Sequence, residues 1–207
     1  MNDDAVVRVA AALVQYRQSV SQPYDEALHE VAARVEQSRS LGKADIGALV
    51  LWKRMRADTK WATALCSMPD QQVRTITAKA VAEVRDESLA VVDAARRGRE
   101  HLRELPACRN GNALTSVLLV AGAPHRMAVY DRRAHRALLA LPGVDFVPGN
   151  GMYARYMACV EDLRARGLEQ GHRWMARDID LALYSLGGAE PVRDSVVNTT
   201  IGRQPSD

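Results

Sequence analysis

Apolar residues recur every three or four positions through almost the whole chain, which is the spacing of amphipathic α-helices. Near the start, Val6, Val9, Leu13 and Tyr16 form one such stripe. Segments that alternate with period two are rare, and the nearest to one, residues 126–130, is too short to need a sheet partner. The pattern therefore predicts an all-α protein.

Proline, glycine and acidic residues divide the pattern into separate helices. Helices are predicted over residues 5–18, 23–40, 44–55, 113–121, 132–141, 152–168 and 174–186, with four more between residues 58 and 105, of which the first and the last are short. Gly187 and Gly188 end the last helix, and a polar segment follows. We expect an N-terminal helical extension (1–40), a helical domain (41–188) and a flexible tail (189–207).

The composition of the chain excludes some classes of protein but does not identify a function. With 207 residues, 47% of them hydrophobic, the chain can bury a core in one domain or in two lobes that share a cleft. The formal charge of +3 permits an anionic partner but does not require one. Three widely spaced cysteines favour neither a disulfide framework nor a metal site, so no cofactor or metal is expected. The acidic start and short apolar runs indicate no membrane partner and a cytoplasmic location.

The most specific signal covers residues 105–133. A short helix leads into a glycine-bearing turn, here called the hairpin turn (residues 105–112), and then into an apolar helix. A proline-containing link, whose last part is here called the elbow (residues 126–131), ends at Asp131 before a basic helix. This order puts a carboxylate beside a turn of backbone amides. Such an arrangement can hold a nucleic-acid backbone while a group acts on one nucleotide.

This region resembles the helix-hairpin-helix DNA glycosylase superfamily. The matching residues are Leu105-Pro106, Ala113, Pro124 and the run 128–131, Ala-Val-Tyr-Asp. The segments 46–53 and 178–184 are similar to bacterial proteins with the same fold. The resemblance implies a two-lobed helical domain, DNA as a partner and a role in base excision repair. Protein partners are not indicated.

Two departures from the family pattern shape the expected chemistry. The hairpin turn has one glycine, Gly111, where relatives have two or three, although Asn110-Gly111 can still form a left-handed turn. Asn112 stands where bifunctional members have a lysine, and an amide cannot form a Schiff base. Lyase chemistry through that position is excluded. The expectation is a monofunctional hydrolase that breaks the N-glycosidic bond of a flipped base.

The resemblance, together with the clustering of basic and aromatic side chains, gives nine residues a candidate role. Asp131 is the catalytic carboxylate, which stabilises the developing sugar cation and orients water. Substrate contacts are expected from Asn112, Tyr130 and Trp61. DNA contacts are expected from Arg109, Asn110, Gly111, Arg132 and Arg133.

Each of these residues also has an ordinary structural interpretation. Asp131 is placed to cap the following helix, Asn112 is a polar residue near a helix start, and Trp61 fits a core position. The arginines fit a solvated helix face.

Two alternatives to the enzyme remain open. The fold could be retained without chemistry, as a module that binds nucleic acid or a protein partner in genome maintenance or defence. The resemblance could also be accidental in a helical interaction protein. A structure in which Asn112 and Asp131 do not share a cleft would favour the latter.

Overall fold

The computed structural model describes residues 3–20, 22–57 and 60–188, so the predicted flexible tail lies outside the described residues. Within them the chain forms ten α-helices and one 3₁₀ helix, and no strand, which confirms the all-α prediction. None of the described helices is long and apolar enough to cross a membrane. The helices are α1 (Asp4–Ser19), the 3₁₀ helix (Gln22–Asp25), α2 (Glu26–Ser38), α3 (Lys43–Trp52), α4 (Lys60–Ser67), α5 (Asp70–Arg85), α6 (Val91–Leu102), α7 (Ala113–Gly122), α8 (Arg132–Ala140), α9 (Met152–Glu169) and α10 (Ala176–Leu186).

Helix α7 is the most buried element. All of its residues from Leu114 to Gly122 are buried, because all of them except Thr115 and Ser116 are apolar or glycine. It packs against α2, α3, α5 and α6, which surround it. This helix holds the hairpin turn at its N-terminal end.

Helix α10 organises a second group of helices, in which it contacts α1, α8 and α9. At its end, Gly187 lies so close to α8 that an added Cβ would be 1.9 Å from the carbonyl oxygen of Arg133. Only glycine permits this approach. The two groups of helices also meet where α6 packs against α9.

Helix α3 ends earlier than the sequence predicts. The apolar pattern extends to Met55, but the helix ends at Trp52 and Arg54 has a left-handed backbone with φ 51°. Lys53 therefore lies in a turn after the helix. Because of this shift, the turn borders a pocket that Asp131 also lines.

Candidate active site

Side chains from distant helices fix the elbow backbone. The Val129 amide donates to Oδ2 of Asp180 at 2.7 Å. The hydroxyls of Tyr153 and Tyr156 donate to the carbonyl oxygens of Ala128 and Val129, each at 2.9 Å. These partners replace the sheet neighbour that an extended segment normally needs.

A further bond joins the elbow to the first turn of α7. The Tyr130 amide donates to Oγ of Ser116 at 3.0 Å. Asn112 precedes Ser116 by one helical turn, a rise of about 6 Å. The elbow therefore lies beside the first turn of α7, the helix that follows the hairpin turn.

Asp131 uses its two carboxylate oxygens differently. Oδ1 caps α8 by accepting from the amides of Arg133 and Ala134 at 2.8 and 2.9 Å. Oδ2 lies 3.9 Å from Nζ of Lys53. Capping therefore leaves one oxygen of this carboxylate available to the pocket beside it.

That pocket has a volume of about 280 Å³, close to the lower end of the range for small-molecule sites. It forms where the ends of α1 and α3, the start of α8 and one face of α10 meet. The residues that line it are Tyr16, Ser19, Val20, Tyr24, Lys53, Arg54, Asp131, Arg177, Asp180, Leu181 and Tyr184.

Lys53 is an unusually enclosed lysine. Its side chain is only 14% exposed, and its Nζ lies 5.3 Å from the ring centroid of Trp52 and 5.6 Å from that of Tyr184. Burial lowers the pKa of the amine, while the carboxylates of Asp180 and Asp131 partly oppose the shift.

Asp180 and Arg177 form the floor of the pocket. Oδ1 of Asp180 accepts from Arg177, whose Nη2 also lies 3.3 Å from both carboxylate oxygens of Asp25. Burial raises the pKa of Asp180 to about 6, although Arg177 and the Val129 amide favour its charged form. Among the described residues, nothing accepts a hydrogen bond from the buried Nε of Arg177.

Exposed arginines stand at the rim of the pocket. Arg54 is exposed and lines it, and the guanidinium of Arg133 lies 4.7 Å from the ring centroid of Tyr184. Arg132 is exposed in the first turn of α8. The pocket is therefore lined by groups of both charges, with Arg54, Lys53 and Arg177 facing Asp131 and Asp180.

The hairpin turn differs from its predicted geometry. The left-handed residue is Ala107, with φ 68°, rather than Asn110 or Gly111. Gly111 serves a close approach instead, because a Cβ there would be 2.4 Å from the Ala107 carbonyl oxygen. The prediction of a left-handed Asn-Gly turn was therefore wrong. Arg109 and Asn110 are exposed, as a surface that binds a backbone requires.

Three residues predicted to contact substrate lie outside the set that lines the pocket. Oδ1 of Asn112 accepts from Nε of Arg99 at 3.1 Å. The Tyr130 hydroxyl pairs with Nδ1 of His135 at 2.8 Å. Trp61 is half-buried and packs against the core. Asp131 lines the pocket and Arg133 packs on its Tyr184, whereas these three residues have other partners. That Asn112 does not line the pocket with Asp131 counts in favour of a helical interaction protein whose resemblance to the family is accidental.

Sequence reasoning missed most of the residues around Asp131. Arg177, Asp180 and Tyr184 are far away in sequence, and no local pattern relates them to residue 131. Lys53 carried a signal, because the chain has only four lysines and this one directly follows a core tryptophan.

No protein-family model, curated protein or solved structure matches this chain. In the parts of the chain that the structure describes, no group of three or more His, Cys, Asp or Glu residues is arranged to hold a metal ion.

Proposed function

We propose that this chain is a DNA-binding protein with a two-lobed, helix-hairpin-helix glycosylase-like fold, and that it hydrolyses the N-glycosidic bond of a base extruded from the duplex. The observation that carries the proposal is the position of Asp131. One of its oxygens is committed to the helix start, and the other faces a pocket of nucleobase size.

The pocket has the chemistry that a flipped base requires. Tyr16, Tyr24 and Tyr184 supply aromatic surface, and bases stack on aromatic rings with about 1–3 kcal/mol each. Polar and charged groups among the lining residues offer hydrogen bonds to the edges of the base.

The carboxylate of Asp131 fits the role of the catalytic group. As the glycosidic bond breaks, positive charge develops on the sugar, and a fixed carboxylate in a water-poor site stabilises it. The same oxygen can orient the attacking water or accept its proton. The elbow contacts support this role because they leave the start of α8 little freedom.

The surroundings can hold the DNA backbone. Arg109 in the hairpin turn and Arg132 and Arg133 on α8 are exposed cations. At the start of α7, the side chain of Asn112 makes no capping hydrogen bond and Ala113 is exposed, so the Ala113 amide can bind a phosphate.

The test is base release by the wild-type protein and by Asp131→Asn. Asparagine caps helices as well as aspartate does, so the variant removes the charge but keeps the cap. Duplexes that carry oxidised, alkylated or deaminated bases would be incubated with each protein, and abasic sites would be cleaved with alkali. We expect release of at least one base class, reduced about 100-fold or more in the variant.

Asp93→Asn serves as the matched control, because Asp93 is an exposed carboxylate on α6. It should retain wild-type activity. Absence of base release by the wild type with all three classes, or equal activity in Asp131→Asn, would refute catalysis by Asp131.

DNA binding without chemistry is the second candidate. It is favoured by Asn112, which stands at the position of the family's lysine and has its amide oxygen bound to Arg99. In that case Arg109→Ala and Arg132→Ala would weaken a salt-dependent gel shift, while Asp131→Asn would leave it unchanged. The absence of any binding at low salt would contradict both candidates.

A further inference from the structure

We propose that the pocket beside Asp131 binds a free small molecule, a planar aromatic ring that carries one negative charge in the form of a carboxylate. Arg54 and Lys53 would bind the carboxylate, and the ring would lie against the tyrosines of the pocket. Such a ligand goes beyond the proposed function, because it would bind in the absence of DNA.

The backbone of Arg54 supplies the first observation. After α3, the Met55 amide donates to the carbonyl oxygen of Val50 at 2.9 Å. The Arg54 amide donates to that of Leu51 at 3.0 Å, and these two bonds together form a Schellman motif. The left-handed residue of this motif is usually glycine, because a Cβ disfavours the conformation. Here it is Arg54, with φ 51°, and strain of this kind is typical of ligand-binding positions.

The side chain of Arg54 has no partner that would explain an arginine at this position. It lines the pocket, and among the described residues none forms a hydrogen bond or an ion pair with its guanidinium. Arg39, at φ 55°, is the other left-handed arginine of the described chain, and it differs in this respect. Its Nη2 lies 3.2 Å from Oε1 of Glu36. The guanidinium of Arg54 is therefore available to a ligand.

The other cations of the pocket already have carboxylates in contact. Arg177 contacts two of them, and Nζ of Lys53 lies 3.9 Å from Oδ2 of Asp131. In the part of the chain that the structure describes, Arg54 has none. A ligand with a single negative charge would supply the missing partner, which a neutral molecule could not do.

Lys53 offers a second donor to the same anionic group. Its side chain is only 14% exposed, and 3.9 Å is too long for a hydrogen bond to Asp131. None of the described residues accepts a hydrogen bond from its Nζ. Because Lys53 and Arg54 are consecutive and both line the pocket, a carboxylate between them would accept charge-assisted hydrogen bonds from both.

The aromatic lining and the volume of the pocket define the rest of the ligand. Three tyrosines line a space of about 280 Å³, which limits the ligand to a small molecule. The rings of Tyr16 and Tyr184 meet edge to face, with centroids 6.2 Å apart. Burial raises the pKa of Tyr24, and the charge of Arg54 opposes this shift, so the guanidinium lies close to a third ring. A planar ring next to the carboxylate would therefore contact aromatic surface.

The experiment titrates the full chain, without DNA, with three aromatic carboxylates and with their neutral amides. The probes are benzoate, 2-naphthoate and indole-3-carboxylate, and ligand-observed NMR measures their dissociation constants. We expect at least one carboxylate to bind at least tenfold more tightly than its amide, because the amide lacks the charge that Arg54 and Lys53 require. Equal affinities for each acid and its amide, or no binding of any carboxylate at millimolar concentration, would overturn the proposal.

Arg54→Gly separates ligand binding from stability. Glycine relieves the left-handed strain, so the urea midpoint should rise, whereas the affinity for the carboxylate should fall at least tenfold. Arg39→Gly, the matched control, should also raise the midpoint but leave the affinity unchanged. Unchanged affinity in Arg54→Gly, or an equal loss in Arg39→Gly, would contradict a site at Arg54.

Arg54→Gln covers the case in which a change in folding alters the affinity. Glutamine keeps a polar side chain and the strained backbone but removes the charge. Its affinity for the carboxylate should fall as far as that of Arg54→Gly, without the rise in urea midpoint. Wild-type affinity in Arg54→Gln would show that the charge of Arg54 does not bind the ligand.

Discussion

The elbow and the hairpin turn are both non-helical segments beside α7, but they are held very differently. Side chains from three helices bind the backbone of the elbow: Ser116, Tyr153, Tyr156 and Asp180. The hairpin turn has two exposed residues and an alanine in a left-handed conformation. The contrast indicates that the fold fixes the backbone next to Asp131, whereas the proposed contact of the hairpin turn with a phosphate would depend on the charge of Arg109.

The largest loss of stability is expected from Asp180→Ala, a change at one of the side chains that hold the elbow. The change leaves the buried Val129 amide without its acceptor and removes a carboxylate from Arg177. Breaking a buried ion pair in this way costs about 3–5 kcal/mol. Urea denaturation should show this loss in the free energy of unfolding. A loss below about 1 kcal/mol would mean that the elbow is not held as described.

Asp180→Asn is the matched control, because the amide oxygen can still accept from Val129. The pKa of Asp180 is raised from an unfolded value of about 3.9 to about 6. Its contribution to stability is therefore fully present below pH 4 and is lost as the pH rises through 6. The free energy of unfolding of Asp180→Asn, relative to that of the wild type, should therefore rise by about 2–3 kcal/mol between pH 4 and pH 7. A constant difference across this range would contradict the burial of a charged group.

The smallest change in stability is expected in the hairpin turn, from Ala107→Gly. Alanine is strained at φ 68°, and glycine relieves this strain. Part of the benefit is offset because glycine raises the entropy of the unfolded chain. We therefore expect the free energy of unfolding to rise by about 0.5–1 kcal/mol. In contrast, Ala158→Gly, at an exposed position inside α9, should lower the free energy of unfolding by about 1 kcal/mol. Denaturation that shows the same sign for both variants would exclude strain at Ala107.

The parts of the fold that the sequence predicts are those set by local chemistry. The helical period predicts the all-α class, and Asp131 followed by a basic helix predicts its own cap, which Oδ1 makes. The buried nature of α7 follows from its continuous apolar run.

The parts that could not be predicted depend on long-range packing. Lys53 meets Asp131 only because α3 ends at Trp52 and the following turn reaches α8 and α10. In the hairpin turn, residue type favours the Asn110-Gly111 pair for the left-handed position. In the structure Gly111 instead makes a close approach to the Ala107 carbonyl, and the left-handed residue is Ala107.

The most direct test of the account asks whether a DNA nucleotide enters the pocket. Reductive methylation with formaldehyde would be measured at Lys53 and Lys79, without and with a saturating duplex that carries a stable tetrahydrofuran abasic analogue. We expect the duplex to slow methylation of Lys53 at least fivefold and to leave Lys79 unchanged. A bound duplex that leaves Lys53 as reactive as before would contradict the assignment of this pocket to DNA.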